Sequence, residues 1–351
     1  MQDISGANTV AGADPAAARV IGRTRARVSQ LGFGSAPFGA LDSGMHAAVA
    51  VRAFATARDA GLRYFDTAPL YGYGLAERRL GACVDTVDRR ELTLSTKVGR
   101  LLRPGAIAAS AGVQAGQHPF EYTYDYSYDG ALRSLEFSLQ RLGTNRVDIA
   151  LIHDVNRRWQ GERVEERYAE AMAGAYRALH ELRAQGVIDA IGVGVNDWEI
   201  LLRFAADGDF DCFMLAGRYT LLDHTAGARF LPECARRGIS VLMAAPFNSG
   251  ILATGPVPGA TYFYQGADAE ILARTRRIAG VCARHGVALP AAALQFPLGH
   301  PAVASVVTGM RSEDEVAQNV DHMRVPIAPD CWRELVHEGL LDGGLPLPGS
   351  A

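Results

Sequence analysis

Short apolar runs alternate with longer amphipathic stretches along most of the chain. The runs are Leu31–Ala36, Tyr64–Thr67, Leu92–Val98, Val147–His153, Ala190–Val195, Cys212–Ala216, Ile239–Pro246 and Ala304–Gly309. Most are continuously apolar rather than alternating, which is the pattern of parallel strands covered on both faces. Between them apolar residues recur at helical spacing. Ala47–Ala60 and Leu75–Val84 follow the first two runs, and Asp129–Arg141 sets Leu132, Leu135, Leu139 and Leu142 along one face before stopping at Gly143. Arg163–Gln185, Asp197–Ala206, Gly227–Arg237 and Ala269–His285 come next, three of them closed by Gly186, Gly238 and Gly286. A short helix is expected from Pro290, and Ser312–Val320 opens with Ser312-Glu-Asp-Glu315, a capping box.

Eight strand–helix repeats predict an α/β fold of one closed (β/α)8 TIM barrel. The competing doubly wound sheet needs a Gly-x-Gly-x-x-Gly turn after a strand. Gly32-Phe-Gly34-Ser-Ala-Pro37 and Gly192-Val-Gly194-Val-Asn-Asp197 both lack the third glycine, and the first runs into a proline. The barrel is assigned to residues 23–327. Residues 1–22, rich in alanine and glycine, are expected to be poorly ordered, as is the end from Gly343. Residues 328–351 form a tail with one helix near Cys331–Leu341. The stretch 101–128 breaks the rhythm with Pro104, several glycines and the tyrosine-rich run Phe120-Glu-Tyr-Thr-Tyr-Asp-Tyr-Ser-Tyr128, and it is expected to be a lid over the active site.

Composition narrows the function. The chain has 351 residues, 48% of them hydrophobic, and a net charge of -3, which gives no case for nucleic acid or an acidic membrane surface as partner. No apolar stretch reaches the roughly 18 residues that span a bilayer, and the N-terminus lacks the charge and apolar run of a signal peptide. The five cysteines are dispersed, with no zinc spacing. A cytoplasmic protein acting on a small molecule, as a monomer or small homo-oligomer, is expected. One position stands out: Lys97 is the single lysine among 35 basic residues. Arginine is a planar fork that stays charged, whereas lysine is a compact point charge whose pKa moves readily, so a lone lysine at a strand end points to proton chemistry.

In a barrel of this kind reactive groups sit at the C-terminal ends of strands. Those ends carry Asp66, Lys97, His153 and Asn196, with Tyr71 five residues past Asp66. Each residue alone is weak, since a strand-end aspartate usually caps a helix and a lone histidine is usually satisfied in the core. Together they make a proton-transfer set. Tyr71 is the acid or base, Lys97 lowers its pKa toward the working range, Asp66 balances the buried ammonium, and His153 donates a hydrogen bond to the substrate oxygen.

Several segments carry a resemblance. Leu31-Gly-Phe-Gly-Ser-Ala, Phe65-Asp-Thr-Ala-Pro-Leu-Tyr71-Gly-Tyr-Gly74, Ser95-Thr-Lys97, Leu151-Ile-His153, Ile191-Gly-Val-Gly-Val-Asn196 and Gly309-Met-Arg311 with Glu315 and Asn319 resemble the aldo-keto reductase superfamily over roughly residues 28–325. The resemblance implies a (β/α)8 barrel, a nicotinamide dinucleotide across its C-terminal face, and Asp66, Tyr71, Lys97 and His153 as the catalytic set. Thr96-Lys-Val-Gly-Arg-Leu-Leu102, Asp125-Tyr-Ser-Tyr-Asp129 and Leu215-Ala-Gly-Arg-Tyr-Thr-Leu-Leu222 are most similar to the sugar and pyridoxal dehydrogenases of that superfamily, the L-fucose (D-threo-aldose) 1-dehydrogenase, L-galactose dehydrogenase and pyridoxal 4-dehydrogenase types. The implied reaction is oxidation of an aldose of L-fucose, L-galactose or D-arabinose type at C1 to the lactone. The alternatives are pyridoxal 4-dehydrogenase or a broad aldehyde reductase, and more remotely a cofactor-binding regulatory subunit.

The same resemblance implies cofactor contacts from Gly34, Ser35, Asp66, Asn196, Ala216, Pro246, Phe247, Ser249, Gly250, Leu252, Gly309, Arg311, Glu315 and Asn319. Phe247 is expected near the cofactor and the Ser249 hydroxyl at its pyrophosphate. Glu315, with Asp314 beside it, would repel a ribose 2′-phosphate and accept from a free hydroxyl, so NAD is expected ahead of NADP. Arg311 remains as a phosphate clamp that would allow NADP. Phe38, Tyr71, His153, Asp154, Arg218 and Trp198 are the expected substrate contacts, with Tyr73 and the tyrosine-rich stretch as stacking surfaces.

Overall fold

Each of the eight apolar runs forms a strand: β1 (Leu31–Gly34), β2 (Tyr64–Asp66), β3 (Thr93–Val98), β4 (Ile149–His153), β5 (Ala190–Val195), β6 (Cys212–Ala216), β7 (Ser240–Ala244) and β8 (Val303–Gly309). In the computed structural model, which describes residues 12–40, 45–105 and 120–349, every strand pairs in parallel with the next and β8 closes on β1. The barrel is closed, so the doubly wound alternative falls. Several strand ends fall a residue or two inside the runs, and β8 begins one residue earlier, at Val303.

Helices cover the outside: α1 (Ala47–Asp59), α2 (Leu75–Val84), α3 (Tyr128–Leu142), α4 (Val164–Ala173), α5 (Ala175–Ala184), α6 (Trp198–Asp207), α7 (Phe230–Arg237), α8 (Ala269–Arg284), α9 (Leu289–Gln295), α10 (Glu313–Arg324) and α11 (Pro329–His337). Their apolar faces meet the outward strand residues in the larger of two buried clusters. The smaller cluster fills the barrel itself with residues such as Tyr64, Leu151, Met214 and Leu242.

Four differences from the pattern have physical causes. The expected single helix 163–185 is two, because the chain at Tyr126–Ser127 crosses it at Gly174. A Cβ there would lie 2.5 Å from the Tyr126 carbonyl oxygen, and Ala175 N–H donates to that oxygen at 2.8 Å. Part of the expected loose N-terminus is ordered: Ala18–Val20 pairs antiparallel with Arg27–Ser29, and Ile21 enters the barrel interior fully buried. An apolar barrel floor needs a plug, and composition alone does not reveal one. The C-terminal end is likewise packed, with Leu345 buried and the backbone of residues 346–348 against Gly299. The tail helix starts earlier than expected, at Pro329, whose fixed φ suits a first turn. Residues 1–11 and 350–351 lie outside the described residues.

Of the stretch 101–128, the flanks form a two-stranded antiparallel ribbon, Arg100–Pro104 against Phe120–Tyr124, rising above β3. Residues 106–119 lie outside the described residues.

Candidate active site

Period-two alternation decides which strand residues face the barrel interior. Asp66 lies two residues beyond Tyr64 on β2, and His153 two beyond Leu151 on β4, with Tyr64 and Leu151 both in the interior cluster. Lys97 of β3 sits opposite Leu151, and Asp66 opposite Ser95. Three chemically active side chains therefore form the last inward layer before the barrel opens.

At one corner Lys97 Nζ donates to both Asp66 carboxylate oxygens, at 2.9 and 2.7 Å, and to the Thr67 carbonyl at 2.8 Å. Ser95 Oγ donates to the same carboxylate at 2.6 Å and meets the Tyr64 hydroxyl at 3.0 Å. All of these groups are buried. Burial works against the ammonium, but Asp66 and Tyr71 together outweigh it, so Lys97 holds its proton more tightly than usual. Nζ stands 4.9 Å from the Tyr71 ring centre. Removal from solvent pushes the Tyr71 phenol up to about 12, with Lys97 opposing and Asp66 assisting the rise. This corrects the expectation of a lowered pKa: the lysine acts in the expected direction, but loss of water is the larger effect.

The other corner was not foreseen. Arg100, at the foot of the ribbon, is 1% exposed. One guanidinium nitrogen pairs with Asp154 Oδ2 at 2.8 Å and meets His153 Nδ1 at 2.9 Å. The other terminal nitrogen donates to the Tyr124 hydroxyl at 3.1 Å. The rings of Tyr122, Tyr124 and Trp159 surround the cation at about 5 Å. Burial, then Arg100 and Lys97, hold the His153 imidazole well below its ordinary pKa, so it is neutral. Gly99, at φ 102°, makes this turn possible, because a side chain there would strike the Tyr126 ring at 2.2 Å. Tyr126 in turn donates from its hydroxyl to the His153 carbonyl at 2.6 Å. In sequence Arg100 is one of many arginines; its only signal was its place three residues past the lone lysine, beside a tyrosine-rich run.

Both corners open into one cavity of about 450 Å³. Tyr71, Lys97, His153, Asp154 and Asn196 line it with Tyr73, Tyr122, Trp159 and Tyr264. The stacking surfaces expected of Tyr73 and the tyrosine-rich stretch are thus present, through Tyr122. Three expected substrate contacts are elsewhere. Phe38 is fully buried in the core against Phe33, the Trp198 indole donates to Thr225, and Arg218 bonds the Asn196 carbonyl and Asp223. Lining residues that were missed include Arg158, Trp159 and Tyr264. Tyr264 lies with Phe263 at the tip of a small hairpin, and both have positive φ, 50° and 64°, which a bulky residue adopts only under constraint.

A small groove beside the cavity shares Asn196, Ala216 and Tyr264 with it and adds Gly217, Asn248, Ser249 and Phe263. At its head stands the Asn196 side chain, an amide able to pair with a carboxamide. Gly217 has φ 71°, a left-handed conformation that a residue with a side chain rarely adopts. The Asn196 amide suits the nicotinamide end of a dinucleotide cofactor. Gly250 and Leu252 follow in the turn after β7; Pro246 and Leu252 are buried. Phe247 lines neither cavity nor groove and packs on the core, so the aromatic wall is Phe263 and Tyr264 instead. The Ser249 hydroxyl is engaged, accepting from Tyr264 N–H at 3.0 Å. Gly34 and Gly309 face one another across β1 and β8, with the buried Ser35 hydroxyl unpartnered just beyond. At the start of α10 Arg311 and Glu315 hold each other: Glu315 accepts from Arg311 Nε at 2.7 Å and from its backbone N–H at 2.8 Å. Asn319 is buried one turn on.

Residues 30–337 match the model of the aldo/keto reductase family. The chain is 41% identical to a pyridoxal 4-dehydrogenase of Microbacterium luteolum, with 92% of this chain and 97% of that one covered. It is 37% identical to a D-threo-aldose 1-dehydrogenase of a Pseudomonas species, covering 90% and 95%. Among solved structures, the holo form of an aldo-keto reductase from Bacillus halodurans superposes with a TM-score of 0.71 at 23% identity, over 93% of this chain and 97% of that one. A closed barrel, a buried lysine–aspartate pair beside a tyrosine and a histidine, and these likenesses agree: the chain belongs to the aldo/keto reductase family and is an oxidoreductase.

Proposed function

We propose that this protein is an NAD-linked dehydrogenase that oxidises a cyclic hemiacetal to a lactone. The carrying observation is that Tyr71 and His153 face one cavity, with their rings 6.3 Å apart and edge-on, and Lys97 behind the tyrosine. A hemiacetal carbon placed between them would lose its C–H hydrogen with two electrons, for which an oxidised nicotinamide, when bound, would supply the acceptor. Its O–H proton goes to the Tyr71 oxygen, and the C–O bond becomes the lactone carbonyl. Lys97 favours the phenolate form that takes the proton, and Asp66 keeps Lys97 charged and in place. His153 orients the same oxygen. Asn196 would hold the cofactor carboxamide, and Glu315, paired with Arg311, would stand against a 2′-phosphate, which favours NAD over NADP.

Two substrate classes share this chemistry. The lining favours a planar heteroaromatic hemiacetal, the ring form of pyridoxal, because Tyr73, Tyr122, Trp159 and Tyr264 offer stacking faces while Asp154 is already committed to Arg100. A sugar of the L-fucose, L-galactose or D-arabinose type is the second reading, supported by the likeness to the aldose 1-dehydrogenase. A non-catalytic role is disfavoured by the complete set of four residues. Steady-state reduction of NAD and of NADP with pyridoxal and the three sugars tests the proposal. Pyridoxal with NAD is expected to give the highest kcat/KM. No reduction by any of the four would sink the function, and a sugar ahead of pyridoxal would reverse the order of the two readings.

A further inference from the structure

We infer that Arg100 is a positioning residue that fixes the tautomer of His153, keeping its proton on Nε2 and thereby making Tyr71 the sole base in the cavity. A guanidinium has donors and no acceptor. With Arg100 at 2.9 Å, Nδ1 of His153 must therefore accept, and a neutral ring then carries its hydrogen on Nε2. Nε2 stands 3.4 Å from Asp154 Oδ2, longer than a good hydrogen bond, so that N–H remains available to a ligand in the cavity.

The rest of the surroundings maintain this state. His153 is faced by Lys97 from β3, Arg100 from the ribbon, Asp154 from its own segment and the Tyr71 ring from the turn after β2, while Tyr126 holds its carbonyl. Burial, and then Arg100 and Lys97, each paired with its own carboxylate, oppose a positive charge on the imidazole. The guanidinium is itself held by three aromatic rings and Asp154, so it has no room to withdraw. A ring that can only donate from Nε2 cannot accept the substrate hydroxyl proton. The substrate oxygen accepts from His153, and its own O–H is left to point at Tyr71.

The consequence for catalysis rests on the proposed hemiacetal oxidation, but the tautomer does not, so the decisive measurement needs no substrate. Nuclear magnetic resonance of isotopically labelled histidine, with His153 assigned by its loss in His153→Asn, reads both ring nitrogens. The expected result is a hydrogen on Nε2, none on Nδ1, and no titration between about pH 5 and 8. A hydrogen on Nδ1, or titration in that window, overturns the inference. In Arg100→Met/Asp154→Asn, which removes both charges together and places at 154 a residue that tolerates its positive φ of 56°, Nδ1 loses its donor and the hydrogen should spread over both ring nitrogens. There kcat/KM should fall about tenfold to a hundredfold. Asp154→Asn alone should keep the wild-type tautomer. If that single change releases the ring, the carboxylate and not Arg100 sets the proton, and the inference fails.

Discussion

Lys97–Asp66 and Arg100–Asp154 are both buried cation–carboxylate pairs on the same cavity, yet they serve different neighbours. The first is built on two barrel strands and places a compact charge behind a tyrosine, opposing the rise that burial imposes on the phenol. The second joins the foot of a ribbon to a strand end and places a planar fork against a histidine, keeping it neutral. A point charge serves the first role because it biases a pKa without dictating hydrogen-bond direction. A fork serves the second because its fixed N–H vectors decide which ring nitrogen accepts. The comparison explains why a chain that otherwise uses arginine keeps one lysine.

The comparison can be broken at several points. The largest effect is expected at the base itself: Tyr71→Phe should lower kcat by about a hundredfold to ten-thousandfold while leaving the thermal midpoint nearly unchanged. Full activity in that variant would remove Tyr71 from the mechanism. Lys97→Met should inactivate and also destabilise by about 3–5 kcal/mol in denaturant unfolding, since it leaves Asp66 buried without its cation. Lys97→Met/Asp66→Asn should recover stability but not activity, which separates the fold from the chemistry.

The pH dependence distinguishes the two corners. Oxidation needs the phenolate, and a Tyr71 pKa near 12 makes that form scarce at neutral pH. The oxidation rate should therefore rise with pH through the alkaline range, whereas carbonyl reduction, which needs the phenol, should stay flat until well above neutrality. A histidine-type inflection between about pH 5 and 8 in the wild type would show that the second corner does not hold His153 neutral. Smaller effects are expected further out. Glu315→Gln frees Arg311 and should shift the NADP-to-NAD ratio of kcat/KM upward by about tenfold, about 1.4 kcal/mol. Tyr264→Ala should raise the KM for pyridoxal a few-fold with little change in kcat.

Much of the frame was legible. Continuous apolar runs identified eight parallel strands, and strand-end position brought out Asp66, Lys97, His153 and Asn196, because inward alternation and the open end of a barrel are local properties of each strand. Arg100, Arg158 and Tyr264 were not legible. Their roles depend on a ribbon, a four-residue helix and a hairpin tip folding back over the barrel mouth, and nothing in the local pattern around them encodes that return. Phe38, Trp198, Phe247 and Arg218 were misplaced for the converse reason: each follows a strand end in sequence, but packing turns its side chain to the core or to a neighbouring loop.

Periodicity and strand-end position were enough for the barrel, the single lysine and its carboxylate partner. Those follow from periodicity and from the chemistry of residues a fixed number of positions apart. Only the tertiary structure decided the balance of forces on Tyr71 and the proton on His153. Burial depends on how much water the assembled walls exclude, and a hydrogen-bond direction depends on where a second segment places its donor.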